Sequence, residues 1–122
     1  MHTLLALGGI MMFLAVALGA FGAHALKHKL TGDKQKTYQT GVQYHLAHSL
    51  GLLLLGILAG EIADPSLIIW AGWLLLAGIV LFSGSLYALS ISGIRKLGAI
   101  TPLGGLCFLA GWLIVVIAAV NG

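Results

Sequence analysis

Polar side chains standing where a chain otherwise turns apolar are the first candidates for chemistry. Here they gather in the stretch Tyr38 to Gly51, Tyr-Gln-Thr-Gly-Val-Gln-Tyr-His-Leu-Ala-His-Ser-Leu-Gly, which carries Tyr44, His45 and His48. His45 and His48 are three residues apart and share one face of a helix. With His24 they would offer three imidazoles to zinc, copper or iron. No Cys or carboxylate joins them. The simpler reading is of interfacial histidines hydrogen-bonded to Ser, Tyr or backbone carbonyls, locking two helices together. We therefore expect neither metal nor cofactor; haem ligation and quinone contact are weaker readings of the same residues.

Ser83 and Ser85 are the candidate nucleophiles, and Phe82-Ser83-Gly84-Ser85 lacks the strand-to-helix turn of a nucleophile elbow. A histidine base would also lack an orienting carboxylate, because Asp33, Glu61 and Asp64 all fall in polar connections. Serine as helix-packing glue fits better, and a non-enzymatic protein is the expectation. Tyr44 and Tyr87 read as aromatic anchors at the membrane interface. Trp112 falls near the middle of an apolar run, where its indole N–H needs a partner that the sequence does not name. Cys107, the one cysteine, is a small packing residue that has no intrachain disulfide partner.

The elements that must position these groups are membrane spans. Of the 122 residues, 60% are hydrophobic and only 7% charged, with a mean hydropathy of +1.08. A soluble domain has about 25% charged residues, so lipid must be the solvent for much of this chain. Apolar runs predict four spans, at about residues 3–25, 43–60, 67–92 and 99–120, in a single domain covering 1–122. The first is too long for a secretory h-region, and its flanking charge is reversed: no Lys or Arg precedes it, while Lys27, Lys29, Lys34 and Lys36 follow. Asp33 reads as the N-cap of a helix that enters lipid near Tyr44. Pro65 sets the start of the third helix and Thr101-Pro102 that of the fourth. Trp70 and Trp73 form an interfacial belt.

Small residues predict the helix contacts. Ala15, Gly19 and Ala23 make one stripe, and Gly56 with Gly60 a GxxxG pair. Ala71, Gly78, Ser85 and Ser92 repeat every seven residues, Gly84, Ala88 and Ser92 every four. The fold expected is an all-α polytopic antiparallel four-helix bundle.

All six Lys and Arg lie in the first and third connections. The positive-inside rule then places residues 26–42 and 93–98 in the cytoplasm and both termini outside. This clustering also removes nucleic acid as the reason for a pI near 9.3. His24, Tyr44, His48, Ser83, Ser85, Tyr87 and Thr101 converge on the basic side, suggesting a polar pocket open to the cytoplasm. Residues 50–59 have no side-chain hydrogen-bonding group, which argues against a continuous aqueous pore in one chain. Membrane lipid is an expected partner, with a homo-oligomer or a larger membrane complex the other.

These residues also resemble a known family. Gly19-Ala20-Phe21-Gly22-Ala23-His24, Thr40-Gly41-Val42 with Tyr44 and His48, Leu81-Phe82-Ser83-Gly84-Ser85-Leu86-Tyr87, and Thr101-Pro102-Leu103-Gly104-Gly105 with Phe108, Gly111 and Trp112 are similar to the YwdK/YgdD-like small four-helix membrane proteins of unknown function. The resemblance implies a bacterial inner-membrane protein and no established reaction. It matches Gly84, Gly104 and Gly105, which close helix approach explains. The family pattern has glutamine after the tyrosine, where this chain has His45, so a His45–His48 metal pair is not implied.

Overall fold

A computed structural model describes residues 2–62 and 64–121. Four long helices follow in order: α1 (His2–His24), α2 (Asp33–Ala59), α3 (Ser66–Ser92) and α4 (Thr101–Asn121), the last preceded by a 3₁₀ turn, Arg95–Ala99. Each is long and apolar enough to cross a bilayer, which needs about 20 residues. Gly32, at φ +56°, turns the chain into α2, and Gly93, at φ +73°, ends α3 with its N–H on the Leu89 carbonyl. Asp33 is thus the first helical residue of α2 and not its N-cap. No side chain caps that terminus, though a carboxylate in the first turn still suits the helix dipole.

Consecutive helices run antiparallel, as the glycines record. A Cβ on Gly8 or Gly56 would press on Leu53 or Leu5, and one on Gly19 or Gly22 would meet Val42 or Tyr38. These pairs descend along α1 as they ascend along α2. Gly41 meets Tyr87 between α2 and α3, and Gly78, Gly104 and Gly111 meet Phe108, Phe82 and Leu75 between α3 and α4. α2 is the central element. Its buried residues Tyr38, Gly41, Val42, His45, His48, Ser49, Leu52, Leu55, Gly56 and Ala59 recur every three or four positions. The main core gathers Leu52, Leu55, Ile68, Leu75, Ile79 and Phe108 with Leu4. A smaller one folds the first connection back on the bundle through Leu26 and Leu30 against Tyr38 and Val42.

Five expected packing positions fall elsewhere. Gly60 caps the end of α2: its N–H donates to the Ile57 carbonyl, and the Glu61 N–H to that of Leu58. Ala23 is exposed, and Gly22 takes its place at the α1–α2 contact. A Cβ on Gly84 would meet nothing within 4 Å, and Ala88 and Ser92 are exposed beside it. The cause lies in α3, where Ile79–Ser83 form a π-helical turn. Such a turn holds an extra residue and shifts the faces of everything beyond it. Ser83 and Tyr87 then face α2 and Ser85 faces α4. Gly84, about 100° from either serine, looks outward. Trp70 and Trp73 at the start of α3 are exposed, as an interfacial belt requires.

Candidate functional site

Four interhelical hydrogen bonds form a layer toward the basic end. Tyr38 Oη donates to the Leu18 carbonyl of α1. Ser83 Oγ donates to the Gly41 carbonyl at 2.7 Å, tying α3 to α2. His45 Nδ1 and Tyr87 Oη are 2.8 Å apart across the same pair of helices. Ser85 Oγ and Thr101 Oγ1 meet at 2.5 Å between α3 and α4. Within α2, Ser49 donates back to the His45 carbonyl at 2.7 Å. In lipid each such group needs a protein partner, because no water competes for it.

His48 supplies a fifth link, and its partners fix its chemistry. Nδ1 lies 2.8 Å from the Tyr44 carbonyl, which can only accept, so Nδ1 carries the proton. Nε2 lies 3.0 Å from Trp112 Nε1, which can only donate, so Nε2 accepts. His48 is therefore the neutral Nδ1–H tautomer with both nitrogens engaged. Its ring also stacks on Phe108, with centroids 3.6 Å apart. Neither nitrogen is left for a metal or a proton relay unless Trp112 moves. Among the described residues, no three His, Cys, Asp or Glu side chains gather as a metal site.

His45 differs. It is 3% exposed, and its Nε2 is buried without a hydrogen-bond partner among the described residues. It turns to α3 while His48 turns to α4, so the two histidines do not form a pair.

The expected pocket residues separate into three groups. His24 is exposed at the end of α1 and does not join the others. Ser83, Ser85, Tyr87 and Thr101 are consumed in the hydrogen-bonded layer. Tyr44 and His48 instead line a groove of about 570 Å³ with Phe82, Gly105, Phe108 and Trp112. Tyr44 is 43% exposed, its ring 4.5 Å from that of Phe82. The groove is aromatic where the sequence suggested a polar cup. Sequence reasoning gave Tyr38 no role and kept His45 out of the pocket, though both continue the buried stripe of α2. It had no means of joining Trp112 to His48, 64 positions away.

A second cavity, of about 540 Å³, lies at the opposite end among Leu58, Glu61, Ile62, Asp64 and Leu67. There the Ser66 backbone N–H (3.1 Å) and hydroxyl (2.8 Å) both donate to Asp64. These bonds, the backbone one first, hold its carboxyl below the ordinary carboxylate range.

A family model described as "Protein of unknown function (DUF423)" matches residues 18–105. The UPF0382 membrane protein YwdK of Bacillus subtilis is 51% identical over 121 residues, covering 99% of this chain and 98% of its own. The UPF0382 membrane protein SH2409 of Staphylococcus haemolyticus is 45% identical over 118 residues, 97% of this chain and 95% of its own. A UPF0382 membrane protein of Staphylococcus epidermidis is 45% identical over 121 residues, 99% and 98% of the two chains. No solved structure matches. With four spanning helices and relatives aligned over nearly its whole length, the chain belongs to the DUF423 family, integral membrane proteins of unknown molecular function.

Proposed function

We propose that this is a non-enzymatic structural or accessory protein of the bacterial inner membrane. It acts through helix contact with further copies of itself or with a larger membrane complex. The observation that carries this reading is the closed state of the polar layer. Ser83, Ser85, Tyr87, Thr101 and His48 are engaged by one another, by His45 and Trp112, or by the backbone. They fasten helices, and neither Ser83 nor Ser85 has an imidazole as its hydrogen-bond partner. Gly9 and Gly84, where an added Cβ would meet nothing within 4 Å, leave small outward faces of the kind on which membrane helices associate. Residues 26–42 and 93–98 face the cytoplasm in this reading, from the distribution of Lys and Arg. Native mass spectrometry after gentle extraction tests the contact role. A homo-oligomer or a stoichiometric partner is expected, and a monomer with no partner would count against it. Reporter fusions at residue 122 test the topology and should read out as periplasmic or external.

A second reading, binding or transport along a path completed between protomers, draws on the unpartnered Nε2 of His45. A proteoliposome flux unchanged by His48→Ala and Ser85→Ala would remove it.

A further inference from the structure

We infer that the aromatic groove is a site for one anionic phospholipid: an acyl chain lies in the groove and the phosphate rests on the Arg95–Lys96 turn. The inference depends on the membrane spans and not on the structural role proposed above. Three features match the parts of a phospholipid: charge on the turn before α4, a donor on α2 beside the groove, and an apolar slot along α4.

The first is charge. Arg95 and Lys96 are exposed on the 3₁₀ turn that runs into α4. All six Lys and Arg of the chain lie at this end, with Asp33 as the one carboxylate among them. Basic residues just outside a span attract anionic lipid.

The second is a donor at the groove. Tyr44 lines it and is partly exposed, and its hydroxyl donates to none of the described residues. The ester carbonyls of a phospholipid, one step below the phosphate, are acceptors that such a hydroxyl can serve.

The third is the slot itself. From Pro102 to Trp112 it follows α4 for about 15 Å, half of the roughly 30 Å hydrocarbon core and so one leaflet deep. Its 570 Å³ falls within the roughly 300–1,000 Å³ of ligand sites. Rings wall it on one side. Leu106 and Leu109, 62% and 69% exposed, flank it on the other. Gly105 opens it: an added Cβ would meet only Phe82 Cδ2, at 3.9 Å. The walls are already fixed. Trp112 is held by His48, Phe108 is stacked on His48, and Gly104 sits against the Phe82 backbone. A chain entering it meets a ring wall that is already ordered, which separates this slot from the ordinary lipid-facing surface.

The test is lipid retention. The full chain is reconstituted in vesicles of phosphatidylglycerol and phosphatidylethanolamine, extracted, stripped in detergent and weighed by native mass spectrometry. Wild type should keep one phosphatidylglycerol per chain. Gly105→Leu and Leu106→Trp, which fill the slot from two sides, should lose that adduct while keeping wild-type helicity and thermal midpoint. Gly9→Leu, the same change at an open glycine of α1 away from the groove, should keep it. Arg95→Ala with Lys96→Ala should retain a lipid but no longer prefer phosphatidylglycerol. Wild type that keeps no lipid, or keeps both lipids equally, overturns the inference. So does retention that survives both slot-filling variants, or that is lost in Gly9→Leu as well. A double alanine variant that still prefers phosphatidylglycerol overturns the phosphate contact.

Discussion

The two halves of this bundle are held together in different ways. Toward the basic end, five side chains cross between helices as hydrogen-bond donors or acceptors: Tyr38, Ser83, His45, Ser85 and His48. Close glycine contacts run the whole length, with Gly22 against Tyr38 and Gly104 against Phe82 at the basic end, but toward the acidic end no interhelical side-chain hydrogen bond stands beside them among the described residues. Gly8 receives Leu53, Gly56 receives Leu5, Gly72 receives Leu4 and Gly111 receives Leu75. Lipid tails are as apolar as leucine, so burying leucine among helices gains nothing from water release. What remains is dispersion at close range, which needs glycine opposite leucine, or a hydrogen bond with no water to compete. The interlocked half should resist any added atom. The bonded half should tolerate the loss of one bond.

Substitutions can break that comparison. The largest effect is expected at Gly104, whose Cβ would collide with the backbone of Phe82. Backbone cannot swing aside, so Gly104→Ala should lower stability by about 1–3 kcal/mol in detergent unfolding. Gly84→Ala, at an open site in the neighbouring helix, should be neutral or slightly stabilising, because alanine is the better helix former. Gly56→Ala comes next. It meets Leu5 at 2.8 Å at the flexible tip but the Leu5 backbone nitrogen at 3.1 Å. About 1 kcal/mol is expected, the lower end of the overpacking range, read as a lower thermal midpoint. Ser83→Ala should cost less, about 0.6 kcal/mol, the average for an interhelical side-chain hydrogen bond in a membrane. Should Ser83→Ala prove more damaging than Gly56→Ala, the division between the halves fails.

His48→Phe sharpens the picture, since it keeps the stack on Phe108 and removes the acceptor for Trp112 together with the local bond to the Tyr44 carbonyl. Loss of the indole hydrogen-bond signature in ultraviolet resonance Raman should accompany a drop of about 1 kcal/mol. The smallest effect belongs to Asp64, which is fully exposed. Its depressed folded pKa means that its bonds to Ser66 stabilise the chain above the ordinary carboxylate value of 3.8. That contribution disappears as pH falls through the lower folded value. Wild type and Asp64→Asn should therefore differ slightly in thermal midpoint at pH 6 and converge near pH 2.

Much of this architecture was legible because hydropathy breaks cleanly where the chain leaves lipid. Pro65 before α3, the turn at Gly32-Asp33 before α2 and Thr101-Pro102 opening α4 all fall at observed boundaries. The pairing of faces was far less legible. In water a helix shows its inner face by contrast with a polar outer one. Here Leu50 and Leu54 face out and Leu52 and Leu55 face in, with nothing in residue type to separate them. The same blindness hid the π turn, since Ile-Val-Leu-Phe reads alike in any helical form. That is why the Gly84, Ala88, Ser92 seam was expected to face inward. His24 was placed among the polar groups by depth alone, but is exposed at the end of α1.

The π turn at Ile79–Ser83 makes α3 two rigid rods joined with a rotary offset. The rod carrying Trp70 and Trp73 is keyed to Leu4 and Gly111 through Gly72 and Leu75. The rod beyond it is keyed to Gly41, His45 and Thr101. Removing one residue from the turn would restore a uniform screw and swing the second rod by about 100°, carrying Ser83 and Tyr87 off α2 together. The single extra residue thus acts as the clocking pin of the molecule, setting the angle at which its two independently keyed ends agree.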